Sequence, residues 1–349
     1  MRCRGPSRSL RRRPRRGGRQ DGVALVVALL VFALAAVLLV ALQREFSLFY
    51  RRAGNQLLAE QAWAYLRGAE ALAALALARD YELDQQREAP RDDLDELWAQ
   101  ESAPYALDEG GWLSGNLQDL QGRFNLNLLV ARNGAEEAGG LPSWTPAQAF
   151  FIRLLVSFED LAVDQATAIA VTEAIGDWLD ADQVPRPNGA EDDSYVIRTP
   201  AYRAANRPMA SVSELRAVAG ITPALYARLE PLVTVWPETP GGLNIHTMPP
   251  ALLRAVNRDG SLEPLPPGDV EALVEQRRSV GFADKRAFLD DPVFGGEPLE
   301  AVATLLGESS SWFLLAARVE IADREQRLYS VLHREFRDVR SVLRASGSL

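Results

Sequence analysis

Apolar residues along this chain fall into three arrangements: one unbroken run, one helical stripe and a few alternating stretches. The run, Val23 to Leu42, holds twenty residues without a charge. At ~1.5 Å per residue it reaches ~30 Å as a helix, enough to cross a bilayer. Beyond it Leu57, Leu58, Trp63, Leu66, Ala69, Leu72, Leu75 and Leu77 recur at three- and four-residue spacing, which predicts that the helix continues to about Asp80. "REAPRDDLDEL" breaks the pattern, and "GRFNLNLL" alternates as a strand would, near residue 124. After the Gly/Pro loop "ARNGAEEAGGLPSWTP", Thr145-Pro146 opens a helix with an N-cap hydroxyl and a proline at the first helical position. From there to about Leu306 the chain reads as short helices separated by Pro and Gly. "SSWFLLAARVEI" and "QRLYSVLHREF" then predict a β-hairpin about the polar "ADRE". The class is α+β: a long N-terminal helix and a small antiparallel sheet, interrupted by a large helical insertion.

Charge sharpens this picture. Nine arginines and one aspartate give the first 22 residues +8, so the rest carries −17 within the total of −9. A basic head before an apolar run keeps the N-terminus cytoplasmic and sends the acidic body across the membrane. That body should repel nucleic acid. The single cysteine, Cys3, lies in the basic head, so the body has no disulfide and any local staple must be something else.

Catalytic signatures are missing. There is no P-loop, no G-x-S-x-G and no H-E-x-x-H. His246 and His333 lie in unlike contexts and read as surface or capping residues, and no enzyme is expected.

The richest polar segment is "DWLDADQVPRPNGAEDDSY", residues 177 to 195. Asp180 and Asp182 alternate on a turning backbone, "GAED" can return Glu191 and Asp192 to the same centre, and Asn206 offers a further oxygen. Calcium takes six to eight such oxygens. The spacing is not that of an EF-hand, and the residues alone leave a solvated acidic loop open as well.

Two later stretches, "SVSELRAVAGITPALYARLEPLVTVWP" and the region from "GLNIHTMPPALLRAV" onward, look like loose copies of one helical unit, with a capping box at Ser211 and Glu214. They resemble SAM-like or helix-hairpin-helix modules, which opens an alternative: a membrane-anchored DNA-binding protein of a competence-like system. The phosphate-cradling hairpin of such modules is incomplete, with only Gly220 in one copy and Gly260 in the other.

The N-terminus has three readings: a cleaved secretion signal, a plain anchor, or a leader cut on the cytoplasmic side. A short basic leader ending in Gly22 directly before an apolar helix resembles the class III signal of type IV pilins and type II secretion pseudopilins. That resemblance implies cleavage between Gly22 and Val23 by a prepilin peptidase, and methylation of the new amine. Pilins carry Glu at the fifth mature position, where this chain has Val27. The K-type minor pseudopilin lacks that Glu too, and "LQGRFNLN", "DWLDADQVPRPNGAEDDSY", "YRAANRPMASVSELRAVAGI" and "GLNIHT" resemble its sequence in the same order.

The family implies a subunit at the tip of the type II secretion pseudopilus. Its expected partners are minor pseudopilins I and J, the inner-membrane platform and membrane lipid. It also implies Ca2+ in the helical domain, at Asp180, Asp182, Glu191 and Asp192 with Asn206 as an additional ligand. The expected divisions are a leader at 1–22, a membrane segment at 23–42, the spine helix and start of the core at 43–125, a helical insertion at 126–306, and C-terminal strands at 307–349.

Overall fold

The computed structural model describes residues 21–87, 90–108, 110–131, 144–322 and 324–347. The expected leader, residues 1–22, therefore lies almost wholly outside the described residues. The chain divides into two compact units, up to Gln61 and from Ala62 onward. Helix α1, Asp21–Asp84, belongs to both.

In the first unit α1 carries a window of mean hydropathy 3.3, none of it buried, and it is long and apolar enough to cross a membrane. In the second unit one stripe of α1 is buried at Ala62, Leu66, Ala73 and Leu77, whereas Trp63, Leu72 and Leu75 are exposed. The expected leucine stripe thus mixes two faces, and the smaller alanines take positions on the buried one.

Five antiparallel strands form the sheet, in the order β1 (Tyr105–Ala106), β2 (Gly111–Asp119), β7 (Trp312–Ile321), β8 (Arg324–Glu335) and β9 (Asp338–Ala345). β2 pairs with β7 from Gly111↔Ile321 to Asp119↔Phe313. The expected hairpin is β7–β8, in register from Trp312↔His333 to Ile321↔Arg324. Gly111 sits at φ +121°, and a Cβ there would lie 1.9 Å from the Glu320 carbonyl oxygen, so the close crossing of β2 and β7 requires glycine.

One strand expectation is corrected. "GRFNLNLL" gives only the two-residue β3 (Phe124–Asn125), parallel to β4 (Val233–Thr234), followed by a 3-10 turn over Leu126–Val130. The Asn125 side chain accepts a hydrogen bond from the Asn127 amide and starts that turn, a local competition that ends the strand. The long strand in this part of the chain is instead β2, "GWLSGNLQD". β9 is a further strand that the sequence reading passed over.

Between β2 and β7 lies the helical block, which also holds the short parallel pair β5 (Leu243–Asn244) and β6 (Leu306–Gly307). Helix α2 (Pro146–Val156) begins as expected, with a capping box between Thr145 and Gln148 and Pro146 at its start. Helix α3 (Gln165–Leu179) packs on it, and Phe124 stacks on Phe150 and Phe151, each at 5.3 Å. A buried polar hub joins block to sheet: the Asp119 carboxylate at the end of β2 accepts from Thr247 Oγ1 (2.5 Å), Ser310 Oγ (2.6 Å) and Asn244 Nδ2 (3.2 Å). Such a hub is satisfied on every side, as a buried carboxylate must be.

Candidate metal centre

Helix α3 stops at Leu179 and Asp180 is its C-cap, with its amide donating to the Gly176 carbonyl at 3.0 Å. The chain then turns through Asp182, whose Oδ1 accepts from the Val184 amide at 2.8 Å. Arg186 folds back under α3. It donates to the carbonyls of Leu129 and Val130 at 3.1 and 3.0 Å, and pairs with Asp177 at 3.3 Å and Asp180 at 3.5 Å. Gly176 and Gly189 make room for this, since a Cβ at either would strike Arg186 or Asp177. Asp177, the most buried acid of the segment, is therefore spoken for by Arg186.

Glu191 returns the chain to the turn. It stands before a short helix, Asp192–Tyr195, yet its side chain makes no capping bond. Asp180, Asp182 and Glu191 each bring a carboxylate oxygen within 4.8 Å of the others. Glu191 is buried, and neither of its oxygens has a hydrogen-bond partner. Burial, then the neighbouring charges of Asp177, Asp180, Asp182 and Asp192, push its carboxyl up to about 7. Asn206 holds φ +47° and donates from Nδ2 to the Asp182 carbonyl at 2.8 Å, while its buried Oδ1 has no hydrogen-bond partner.

Three carboxylates thus converge, and both Glu191 oxygens and the buried Asn206 Oδ1 lack hydrogen-bond partners. An oxygen-only donor set on a turn fits a hard divalent cation of calcium type. Asp192 stands apart from this group. Its Oδ1 accepts from the Ala204 amide at 3.0 Å, and its Oδ2 faces Arg203 at 3.6 Å.

The remaining residues singled out above lie elsewhere. Gly22 is helical with open space around it, and Val23 is exposed. His246 is no surface residue: it is 2% exposed, and burial followed by the nearby Arg91 lowers its imidazole to about 4. His333 stacks on Trp312 at 4.4 Å.

A second acidic group escaped the sequence reading. Asp80, Asp84, Asp92 and Glu96 are all buried and mutually within 4.8 Å. Arg334 of β8 pairs with Asp80 at 2.9 Å and with Asp92, and Arg87 pairs with Asp84 at 2.9 Å and Glu96 at 2.6 Å. The i, i+4 spacing of Asp80 and Asp84 ahead of "RDDLDEL" was its only trace in the sequence.

A long N-terminal helix, apolar enough at its start to cross a membrane, together with a small antiparallel sheet defines a pilin-like subunit. Two models of type II secretion system (T2SS) protein K match residues 122–238 and 243–309. The type II secretion system protein K of Pseudomonas aeruginosa is 36% identical over 92% of this chain and 90% of its own. That of Klebsiella pneumoniae is 34% identical over 94% and 97%. A chain of the crystallised GspK–GspI–GspJ complex from the type 2 secretion system of enterotoxigenic Escherichia coli superposes with a TM-score of 0.69. It is 27% identical, and the match covers 85% of this chain and all of that one. The protein belongs to the type II secretion system protein K family, the minor pseudopilins of that machine.

Proposed function

We propose that this chain sits at the tip of a type II secretion pseudopilus, assembled with minor pseudopilins I and J, and that it acts by assembly rather than catalysis. The observation that carries this reading is its likeness, over the whole of the solved chain, to a component of a complex with GspI and GspJ. The apolar part of α1 anchors it singly in the inner membrane; the nine leader arginines hold the N-terminus in the cytoplasm and place the head in the periplasm. A prepilin peptidase cuts after Gly22, and the helix from Val23 then passes from lipid into a bundle with its partners under the platform's drive. Val27 suits the tip. A carboxylate in the bilayer is costly unless it meets a neighbour's amine, and a subunit with none above it has no such amine to meet.

Calcium belongs to the same reading. Asp180, Asp182, Glu191 and the Asn206 amide oxygen would hold the ion, which would neutralise the charge gathered at the end of α3 and fix the turn. We read the two helical repeats as packing modules of the insertion, since the Gly220 turn lies close enough to α3 that a Cβ there would come 2.9 Å from Val171.

Co-expression of the full chain with I and J subunits and extraction in detergent tests the assembly. A stable complex that copurifies in fixed proportion is expected. A chain that stays alone while I and J pair with each other would refute it.

A further inference from the structure

His246 is among the residues that line a cavity of about 310 Å³ between the loop after α1 and the end of the helix Pro267–Ser279. Three arginines line it, Arg91, Arg277 and Arg278, together with two acids, Asp93 and Asp95. Arg91 is paired with Asp93 at 3.1 Å and donates to the Phe282 carbonyl at 2.9 Å. Its guanidinium lies against Gly281, where a Cβ would come within 3.3 Å of it. Arg277 donates to the carbonyls of Ile245 (3.3 Å) and Met248 (2.6 Å), and among the described residues no carboxylate pairs with it or with Arg278. His246 is 2% exposed and its Nε2 has no hydrogen-bond partner. Two exposed apolar residues also line it, Leu94 at 48% and Val280 at 83%.

A buried nitrogen without a partner and a half-buried guanidinium without a counter-ion are both costly alone. Both residues line the one cavity, as do Leu94 and Val280. We propose that this cavity is a carboxylate-binding site, with the anion held between Arg277 and His246 Nε2 and an attached apolar group resting on Leu94 and Val280. A guanidinium matches a carboxylate in geometry as well as charge. The imidazole would enter the complex protonated, donating from Nε2. Burial and the flanking Arg91 and Arg277 hold the empty ring neutral against the weaker opposing pull of Asp93, and a carboxylate alongside reverses that balance. The shared chemistry has two sources, an acidic residue or terminus of another protein and a free small carboxylic acid.

The two histidines of the chain make the test direct. In full-length protein in detergent, with ring-labelled histidine, sodium butyrate should shift the His246 resonance saturably and raise its pKa, leaving His333 in place. Butyramide, the neutral counterpart, should do neither. Arg277→Gln should raise the half-saturating butyrate concentration at least about tenfold. If that variant folds poorly, Arg278→Gln should weaken binding in the same direction, and the butyrate–butyramide contrast stands on wild type alone. A Leu-Glu-terminated peptide that binds more tightly than butyrate would assign the site to a protein partner; equal binding would assign it to free acids. No saturable shift with butyrate, or equal shifts with butyramide or at His333, would overturn the proposal.

Discussion

At the scale of single residues, Glu191 is the most exposed to test. Its carboxyl is raised in the folded protein, so the metal-free head loses stability as pH climbs from the ordinary carboxylate range through about 7. A cation bound there reverses the penalty. A ligand at a hundredfold excess over Kd stabilises by about 2.7 kcal/mol. We therefore expect metal-stripped protein to melt higher with calcium than with chelator, with a gap that widens as pH rises across that window. Glu191→Gln should close the gap while leaving the circular dichroism unchanged, and a calcium-independent melting curve in wild type would return the segment to a solvated loop. Gly22 supports a second prediction. Mass measurement of membrane-extracted protein should find Val23 as the first residue, and Gly22→Val should leave the chain at full length.

Among elements, the junction of α1 with the sheet carries most of the unusual chemistry. Burial, followed by the charge of Glu96, raises Asp80 to about 7 and Asp84 to about 8. These folded values exceed the unfolded ones, so the stability they contribute is complete only at and below the ordinary carboxylate range, and is lost progressively as pH rises from there through 7 to 8. The melting temperature of wild type should fall over that interval, and Asp84→Asn should flatten the fall. Arg334→Met would leave buried carboxylates uncompensated and should cost about 3–5 kcal/mol in denaturant unfolding.

Much of this level was legible in the sequence. Helix α1, the α2 cap at Thr145 and the β7–β8 hairpin follow from periodicity and cap chemistry. β2 did not, because Gly115 and Asn116 interrupt its alternation and its pairing with β7 is decided far along the chain. The carboxylates of the candidate centre were readable as composition, but Arg186 and its place beneath Asp177 depend on a tertiary fold-back. The burial of His246 was equally invisible, since no local pattern marks it.

For the molecule as a whole, the interrupted sheet sets an order of events. β2 ends at Asp119 and its neighbour β7 begins only at Trp312. A chain stopped after residue 310 should keep the aromatic core around Phe150 but expose the β2 edge, and should aggregate or be cut by protease where the full chain resists. Loop-closure entropy and high contact order make such late pairing slow. As the polypeptide emerges with its N-terminus first, the strand next to the anchoring helix waits through the making of the entire helical block before it can be covered. A strand made only after the whole helical block, β7, is thus the one that covers β2, and a copy without it cannot present a finished head to its neighbours. The interruption acts as a built-in check on chain completeness.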